Sequence, residues 1–434
     1  MHEFRAAAEP VPPSPTRRSR TPGPAGRGTV ALALVCALAA AATVVGSTKV
    51  ARELLNPPRP LPPPSELPLL ELTQRGRHAL ERGDPARAAA WLAAAYLAPG
   101  GEHDITVRYL LARATAALAG TPQAFNRALP RIASEVTLGR GGELLVSGPD
   151  GSEVVTPSSL MLGCPVGASS VAASPDGHLL AQACWNGRAR LLRRADGALL
   201  AELPHFDGGR RTMGVAFSPD SRDLVTWAGS LVLWSAEDGT RLGEVTPAAD
   251  VHAAAYSPDG AVLALALMDG TVELRDRDGG APRQLGRLGA AAYTVAFSPD
   301  GDQLVAGGLD GMVRVFDLGG RELSRLGRSG GPVYAVAFSP DGTRIATASY
   351  GGEVHLWNAS NHQHLGSLQV GEHPLSLAFD AGGEHLYVAN ETRTLSRWDV
   401  ALDPRSQVEV ARWATTLHWQ LDGDALVSPG RGRP

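Results

Sequence analysis

From about residue 134 onward, apolar runs of four to six residues alternate with short polar clusters built on Gly, Pro, Asp and Asn. In Val295 to Asp317, VAFSPDGDQLVAGGLDGMVRVFD, three such runs are separated by an Asp-Gly turn on each side, and a fourth run, RELSRLG, begins at Arg321. Asp-Gly and Gly-Gly tolerate the positive φ of tight turns, so each unit reads as four strands joined by hairpins. The strands are apolar on both alternating faces, as at Val336, Ala337 and Phe338. Such strands need cover on both sides, here sheet against sheet.

The unit recurs. VAFSPDG at Val336 is matched by VAASPDG from Val171, VAFSPDS from Val215, AAYSPDG from Ala254, VAFSPDG from Val295 and LAFDAGG from Leu377. The proline or its counterpart falls at 175, 219, 258, 299, 340 and 381, in steps of 44, 39, 41, 41 and 41. A period near 40 marks a repeat architecture. A two-sheet sandwich does not repeat at that interval, whereas a ring of four-stranded blades gives every sheet two neighbours. The fold class expected is mainly β, a β-propeller over 130–434. ELLVSGPDGSEVV, within 134–165, adds a copy ahead of Val171, and TLHWQLDGDALVSPG, Thr416 to Gly430, reads as the first two strands of another. The expected ring has seven blades, one of them closed by strands from both chain ends, with eight as the alternative. Closure removes exposed sheet edges.

Ahead of the repeats the period changes to three and four. Leu72, Gly76 and Leu80, then Ala88, Leu92 and Ala95 after the break at Gly83-Asp84-Pro85, predict two amphipathic helices, with Asp84 capping the second and Pro85 in its first turn. Residues 57–68, PPRPLPPPSELP, hold seven prolines and predict an extended spacer within a linker at 47–68. Residues 29–46 are 18 positions without a charge. They predict a transmembrane helix, read as an uncleaved signal anchor. Residues 1–28 carry five arginines against two acids and six prolines, a basic tail without a core. The positive charge keeps that tail in the cytoplasm and places the propeller on the extracytoplasmic side, the periplasm in a bacterium, whose style the alanine- and arginine-rich composition matches.

The stretch GRHALERGDPARAAAWLAAAYLAPG resembles a tetratricopeptide unit, with Gly76, Ala88 and Ala95 at the small positions and Pro99 near the closing proline. A weaker second unit, Tyr109 to Leu129 with Ala112 and Ala124 small, completes a helical segment over 69–129. Too few units are present for independent stability, so a short cap or stalk is implied. The repeat array resembles the WD-repeat family. Trp398-Asp399, Trp357-Asn358, Phe316-Asp317, Trp234-Ser235 and Arg275-Asp276 stand where its third strand ends in Trp-Asp, and Asp269-Gly270 and Asp310-Gly311 match its turns. The family's Gly-His pair is absent, replaced by Gly330-Gly331 and Gly289-Ala290, which implies blades braced more by packing than by a histidine network.

Composition narrows the chemistry. A net charge of −4 offers no basic excess, so nucleic acid is not an implied partner. The three cysteines show no zinc spacing; Cys164 and Cys184 read as buried thiols, with a bridge in an oxidising compartment as the alternative. No GxxxxGK[ST], HExxH or GxSxG occurs in the repeats, so neither catalytic residue, metal nor cofactor is expected. His362 and His364 read as a polar turn, and the aspartates Asp176, Asp220, Asp259, Asp300, Asp341 and Asp380 as turn formers instead of ion ligands. The inner-strand centres Ala172, Ala216, Ala255, Ala296, Ala337 and Ala378 supply few ligands for a propeller lactonase or hydrolase, the enzymatic alternative. A sensory domain working with a separate kinase is a third option.

The residue two before each VAF-type run takes an equivalent ring position: Ser169, Met213, His252, Tyr293, Tyr334 and Leu375. Of these, Met213, His252, Tyr293 and Tyr334 have the chemistry of protein-binding hot spots. The function expected is a membrane-anchored scaffold that binds a protein or peptide through the propeller rim.

Overall fold

The computed structural model describes residues 67–427, apart from 120–123, 129–134, 140–142, 150, 156–159, 165–166, 206–212, 278–279, 329, 372, 393, 417–419 and 423–424. The apolar stretch 29–46, the tail and most of the proline-rich linker lie outside these. Among the described residues no helix is long and apolar enough to cross a membrane.

Among the described residues the first elements are three helices, α1 (Leu69–Glu81), α2 (Pro85–Leu97) and α3 (Ile105–Ala119), with a 3₁₀ turn at Gly101–His103 before the last. Asp84 caps α2 as expected, its Oδ1 accepting the Arg87 amide at 3.0 Å, with Pro85 at the first position. Asp104 does the same for α3 through the amides of Thr106 (2.7 Å) and Val107 (3.2 Å). A Cβ on Gly76 would stand 2.4 Å from Leu92 Cγ, so the small residue sets how closely α1 and α2 approach. After α3 the chain departs from the expected second helical unit. Ala124–Ala128 is a strand.

Seven four-stranded antiparallel sheets follow. Blades 1 to 6 occupy 135–162, 168–204, 214–245, 251–287, 292–328 and 333–369. Blade 7 takes three strands from 374–399, and Ala124–Ala128 pairs with Thr394–Asp399 as its outer strand. Neighbouring blades touch through their inner strands in a closed cycle, the first blade meeting both the second and the seventh. The ring therefore has seven blades, closed by a strand from the N-terminal side. The expected C-terminal contribution is different: Gln407–Thr416 is a helix, α4, and the hairpin Gln420–Asp422 with Ala425–Val427 pairs only with itself among the described residues. Ser406 and Glu409 explain the helix start, since Glu409 Oε2 accepts the Ser406 amide at 2.8 Å.

The Ser-Pro-Asp-Gly words are turns, as expected. In each, the serine hydroxyl donates to the aspartate two residues on, at 2.5–2.6 Å, and accepts the amide five residues on, as from Leu179, Asp223, Val262, Gln303 and Arg344. The last turn residue has positive φ, and at Ser221 a serine replaces glycine at +62°. Its hydroxyl accepts the Asp176 amide of the adjacent blade at 3.0 Å. Asp380 differs from the other five aspartates. It sits at the serine position, accepting the His385 amide at 3.0 Å.

Helices and ring share one core. Leu72, Leu92, Tyr109 and Leu111 pack in the same cluster as Leu356 and Leu365 of blade 6 and Leu386 and Val388 of blade 7. The helical segment is docked along the flank of the ring. Two further expectations are corrected. Cys164 and Cys184 form a disulfide: Ala168 pairs with Cys184 and the Cys164 carbonyl accepts the Gly167 amide, leaving 6.1 Å between the two Cα atoms. Among the described residues a bracing histidine is present in blade 3: His205 Nδ1 lies 2.6 Å from Thr226 Oγ1, which also accepts Trp234 Nε1 at 2.9 Å. It arrives in Pro204-His205, where the family has Gly-His.

Candidate functional site

The loops before each inner strand and the turns between second and third strands lie at one end of the ring, tied by a repeated backbone bond. The amide that opens the turn donates to the loop carbonyl: Trp185 to Gly167 (3.0 Å), Met268 to Asp250 (2.9 Å), Leu309 to Ala291 (2.9 Å), Tyr350 to Pro332 (2.9 Å) and Glu391 to His373 (3.1 Å). Side chains at these two positions therefore share one surface.

The sequence-chosen positions are β-bulges. The inner-strand register shifts between Val251 and Ala253, between Ala292 and Thr294, and between Val333 and Ala335, leaving His252, Tyr293 and Tyr334 as the extra residues. A bulged residue leaves the pleat, which re-aims its side chain. The three rings then stack across blade boundaries. His252 and Tyr293 centroids are 4.4 Å apart, and Tyr293 and Tyr334 are 5.4 Å apart. The arc continues through Tyr350, tilted against Tyr334 at 5.8 Å, to His373, stacked on Tyr350 at 3.8 Å.

Histidines at both ends of the arc are fixed by carbonyls. His252 Nδ1 donates to the Tyr293 carbonyl at 2.9 Å and His373 Nδ1 to that of Tyr350 at 3.1 Å. Burial lowers the His252 pKa from its usual value, partly offset by that bond, so the ring is neutral at pH 7. Burial, then the neighbouring Tyr293, Tyr350 and Glu391, raises that of Tyr334. The arc is a half-buried ledge with Tyr350 projecting at 41% exposure.

Met213 stands apart. It precedes blade 3, exposed, its amide bonded to the Trp227 carbonyl at 2.7 Å, and no ring contact joins it to the arc. Of the other ring positions, the Ser169 hydroxyl contacts the Ala183 carbonyl at 3.4 Å. Sequence reasoning missed Tyr350 and His373, and with them the exposed Met268 and Leu309. The signal was there: Met268, Leu309 and Tyr350 each come directly before a two-residue turn ending in glycine, at one offset from the repeat word. His362 and His364 do not converge, for His362 Nε2 faces Gln303 Oε1 of blade 5 at 3.4 Å while His364 packs against His355. Among the described residues no group of three His, Cys, Asp or Glu side chains is placed to hold a metal ion.

A closed ring of seven four-stranded blades defines a β-propeller. Residues 285–317 and 320–358 match the family model for the WD domain, G-beta repeat, each span running from an outer strand through the next blade's third strand. Together with the seven-bladed ring, these matches support membership of the WD-repeat propeller family. The chain is also similar to telomerase protein component 1 of Mus musculus, 33% identical over 105 residues, which is 23% of this chain and 4% of that protein. It thus spans a small fraction of that relative's length.

Proposed function

We propose that this protein acts as a scaffold, capturing a protein or peptide on the ring face bearing His252, Tyr293, Tyr334, Tyr350 and His373. The stacked arc carries the reading. Rigid rings that cross three blade boundaries lose little entropy on binding, and the exposed Met268, Leu309 and Tyr350 add apolar and polarisable contact. WD propellers generally serve such a role, and the similarity to a segment of a telomerase component fits a part in a larger assembly. In this reading residues 29–46 anchor the chain in a membrane, the proline-rich stretch spaces the ring from it, and the ring lies outside the cytoplasm. The Cys164–Cys184 bridge supports that placement, since disulfides persist in oxidising compartments.

The test is crosslinking of the full chain in membranes, followed by affinity capture and mass spectrometry, for wild type and for Tyr334→Ala with Tyr350→Ala. The partner captured by wild type is lost from the double variant while its circular dichroism stays native. Equal capture by both overturns the assignment of the face.

A further inference from the structure

The flank of blade 6 carries a second chemical grouping, on the strands Glu353–Asn358 and His364–Gln369. Their antiparallel register sets His355 opposite Ser367 and Glu353 opposite Gln369, and a bulge between Leu356 and Trp357 brings His364 opposite Trp357. Ser367 Oγ lies 2.8 Å from His355 Nδ1. The other ring nitrogen, Nε2, lies 3.3 Å from Glu353 Oε2, and Glu353 Oε1 accepts Gln369 Nε2 at 2.8 Å. Nδ1 also lies 3.3 Å from His364 Nε2; in the tautomer protonated on Nε2, the side of the Glu353 carboxylate, the Nδ1 lone pair meets the serine hydroxyl. A nucleophile is thus bonded to a base that a third group orients.

We propose that Ser367, His355 and Glu353 form an esterase site for a small, negatively charged carboxylic ester. The substrate space is a cavity of about 400 Å³ between this strand and the helices, lined by Ser367 and His364 on one side and by Arg77, Leu80, Glu81 and Arg113 on the other. Two guanidinium groups against one carboxylate favour an anion, while Leu80 and Leu110 leave room for a short hydrocarbon acyl chain. His364 Nε2, 3.3 Å from Ser367 Oγ, stands beside the reacting oxygen.

In acylation, Ser367 Oγ bonds to the ester carbonyl carbon as His355 Nδ1 takes the hydroxyl proton. The tetrahedral adduct collapses by breaking the bond to the alkoxy oxygen, and the proton on Nδ1 passes to the departing alcohol. Water then attacks the acyl-serine with the same base accepting its proton, releasing the acid and restoring the serine hydroxyl. Ser367 and His355 are the catalytic residues, and Glu353 is a positioning residue that fixes the tautomer. Burial lowers the His355 pKa, with Glu353 partly opposing, which leaves the base form in place at pH 7.

The test exposes the full chain to an alkyl fluorophosphonate and, separately, to 4-nitrophenyl hydrogen succinate and neutral 4-nitrophenyl acetate. The phosphonyl adduct forms on Ser367, and the anionic ester is hydrolysed faster than the neutral one. Ser367→Ala abolishes both reactions, and His355→Gln slows labelling by about 100-fold, the contribution of a general base. Glu353→Gln lowers kcat with KM unchanged, and Glu353→Asp restores part of it. A native circular dichroism spectrum accompanies each variant. A wild-type chain without adduct on Ser367, or ester hydrolysis unchanged in Ser367→Ala, overturns the proposal; preference for the neutral ester overturns the substrate class.

Discussion

Blade 3 offers a test of how one hydroxyl braces a propeller blade. Thr226 is fully buried, with Trp234 3% and His205 9% exposed. The Trp234 indole can only donate, so Thr226 Oγ1 accepts from it, and the same oxygen lies 2.6 Å from His205 Nδ1. Burial pushes the His205 pKa down to about 4, so the ring is neutral at pH 7. Thr226→Val keeps the shape but strands the buried indole N–H and the imidazole Nδ1. Each orphaned group costs ~1–3 kcal/mol, so the variant loses about 3 kcal/mol of unfolding free energy without a cavity. Urea unfolding followed by circular dichroism measures it. Thr226→Ser recovers most of the loss, and a cycle with Trp234→Phe shows a coupling of about 1 kcal/mol. A Thr226→Val change below about 0.5 kcal/mol, within the scatter of neutral substitutions, would refute the bracing role, as would a serine variant no better than valine.

Four further outcomes follow from the same geometry. Ser221→Ala keeps the strained positive φ and deletes the bond to Asp176, costing about 1 kcal/mol in thermal unfolding, whereas Ser221→Gly is nearly neutral because relief of strain offsets the lost bond. Gly76→Val drives a side chain into Leu92 and lowers stability by about 1–3 kcal/mol, measured by urea unfolding followed by circular dichroism. Reduction of Cys164–Cys184, or its replacement by two serines, costs about 3 kcal/mol through the 20-residue loop it closes, and dithiothreitol has no effect on the serine variant. Glu135 is raised by burial to about 7, opposed by bonds from Ser170 and the Val171 amide, so its folded pKa exceeds the ordinary carboxylate value. The stability it contributes is complete below pH 4.5 and is lost as pH rises through 7; Glu135→Gln flattens that decline, which a pH series of melting temperatures records.

The ring was legible because its turns are chemically over-determined. Serine, proline, aspartate and glycine each do a separate job in one five-residue bond pattern, and the word persists in five of the copies. Ala124–Ala128 was not legible, since AFNRA carries no turn signal and follows a genuine helix; it becomes a strand because Thr394–Asp399 offers an open edge for pairing. The C-terminal helix was missed although SQVE from Ser406 is a capping box, because the neighbouring LDGD suggested a hairpin. The disulfide turned on the pairing of Ala168 with Cys184, which a spacing of twenty residues does not reveal.

The two candidate sites depend on a single kind of feature. At the ring face, a bulge in the inner strand leaves one residue per blade outside the pleat, and identical offsets in adjacent blades line those residues up as an arc. On the flank of blade 6, a bulge in the third and fourth strands shifts register by one, so that His364 joins the face shared by His355 and Ser367. A one-residue shift reverses which face a side chain occupies. Strand periodicity read from sequence assumes an unbroken alternation, so it finds the equivalent positions of a repeat but not the side chains that a bulge gathers between strands. His364→Leu tests this separately from the chemistry: the bulge persists and Ser367 keeps its bond to His355, so fluorophosphonate labelling of Ser367 continues. Loss of labelling in that variant would mean that the histidine, and not the register, holds the serine in place.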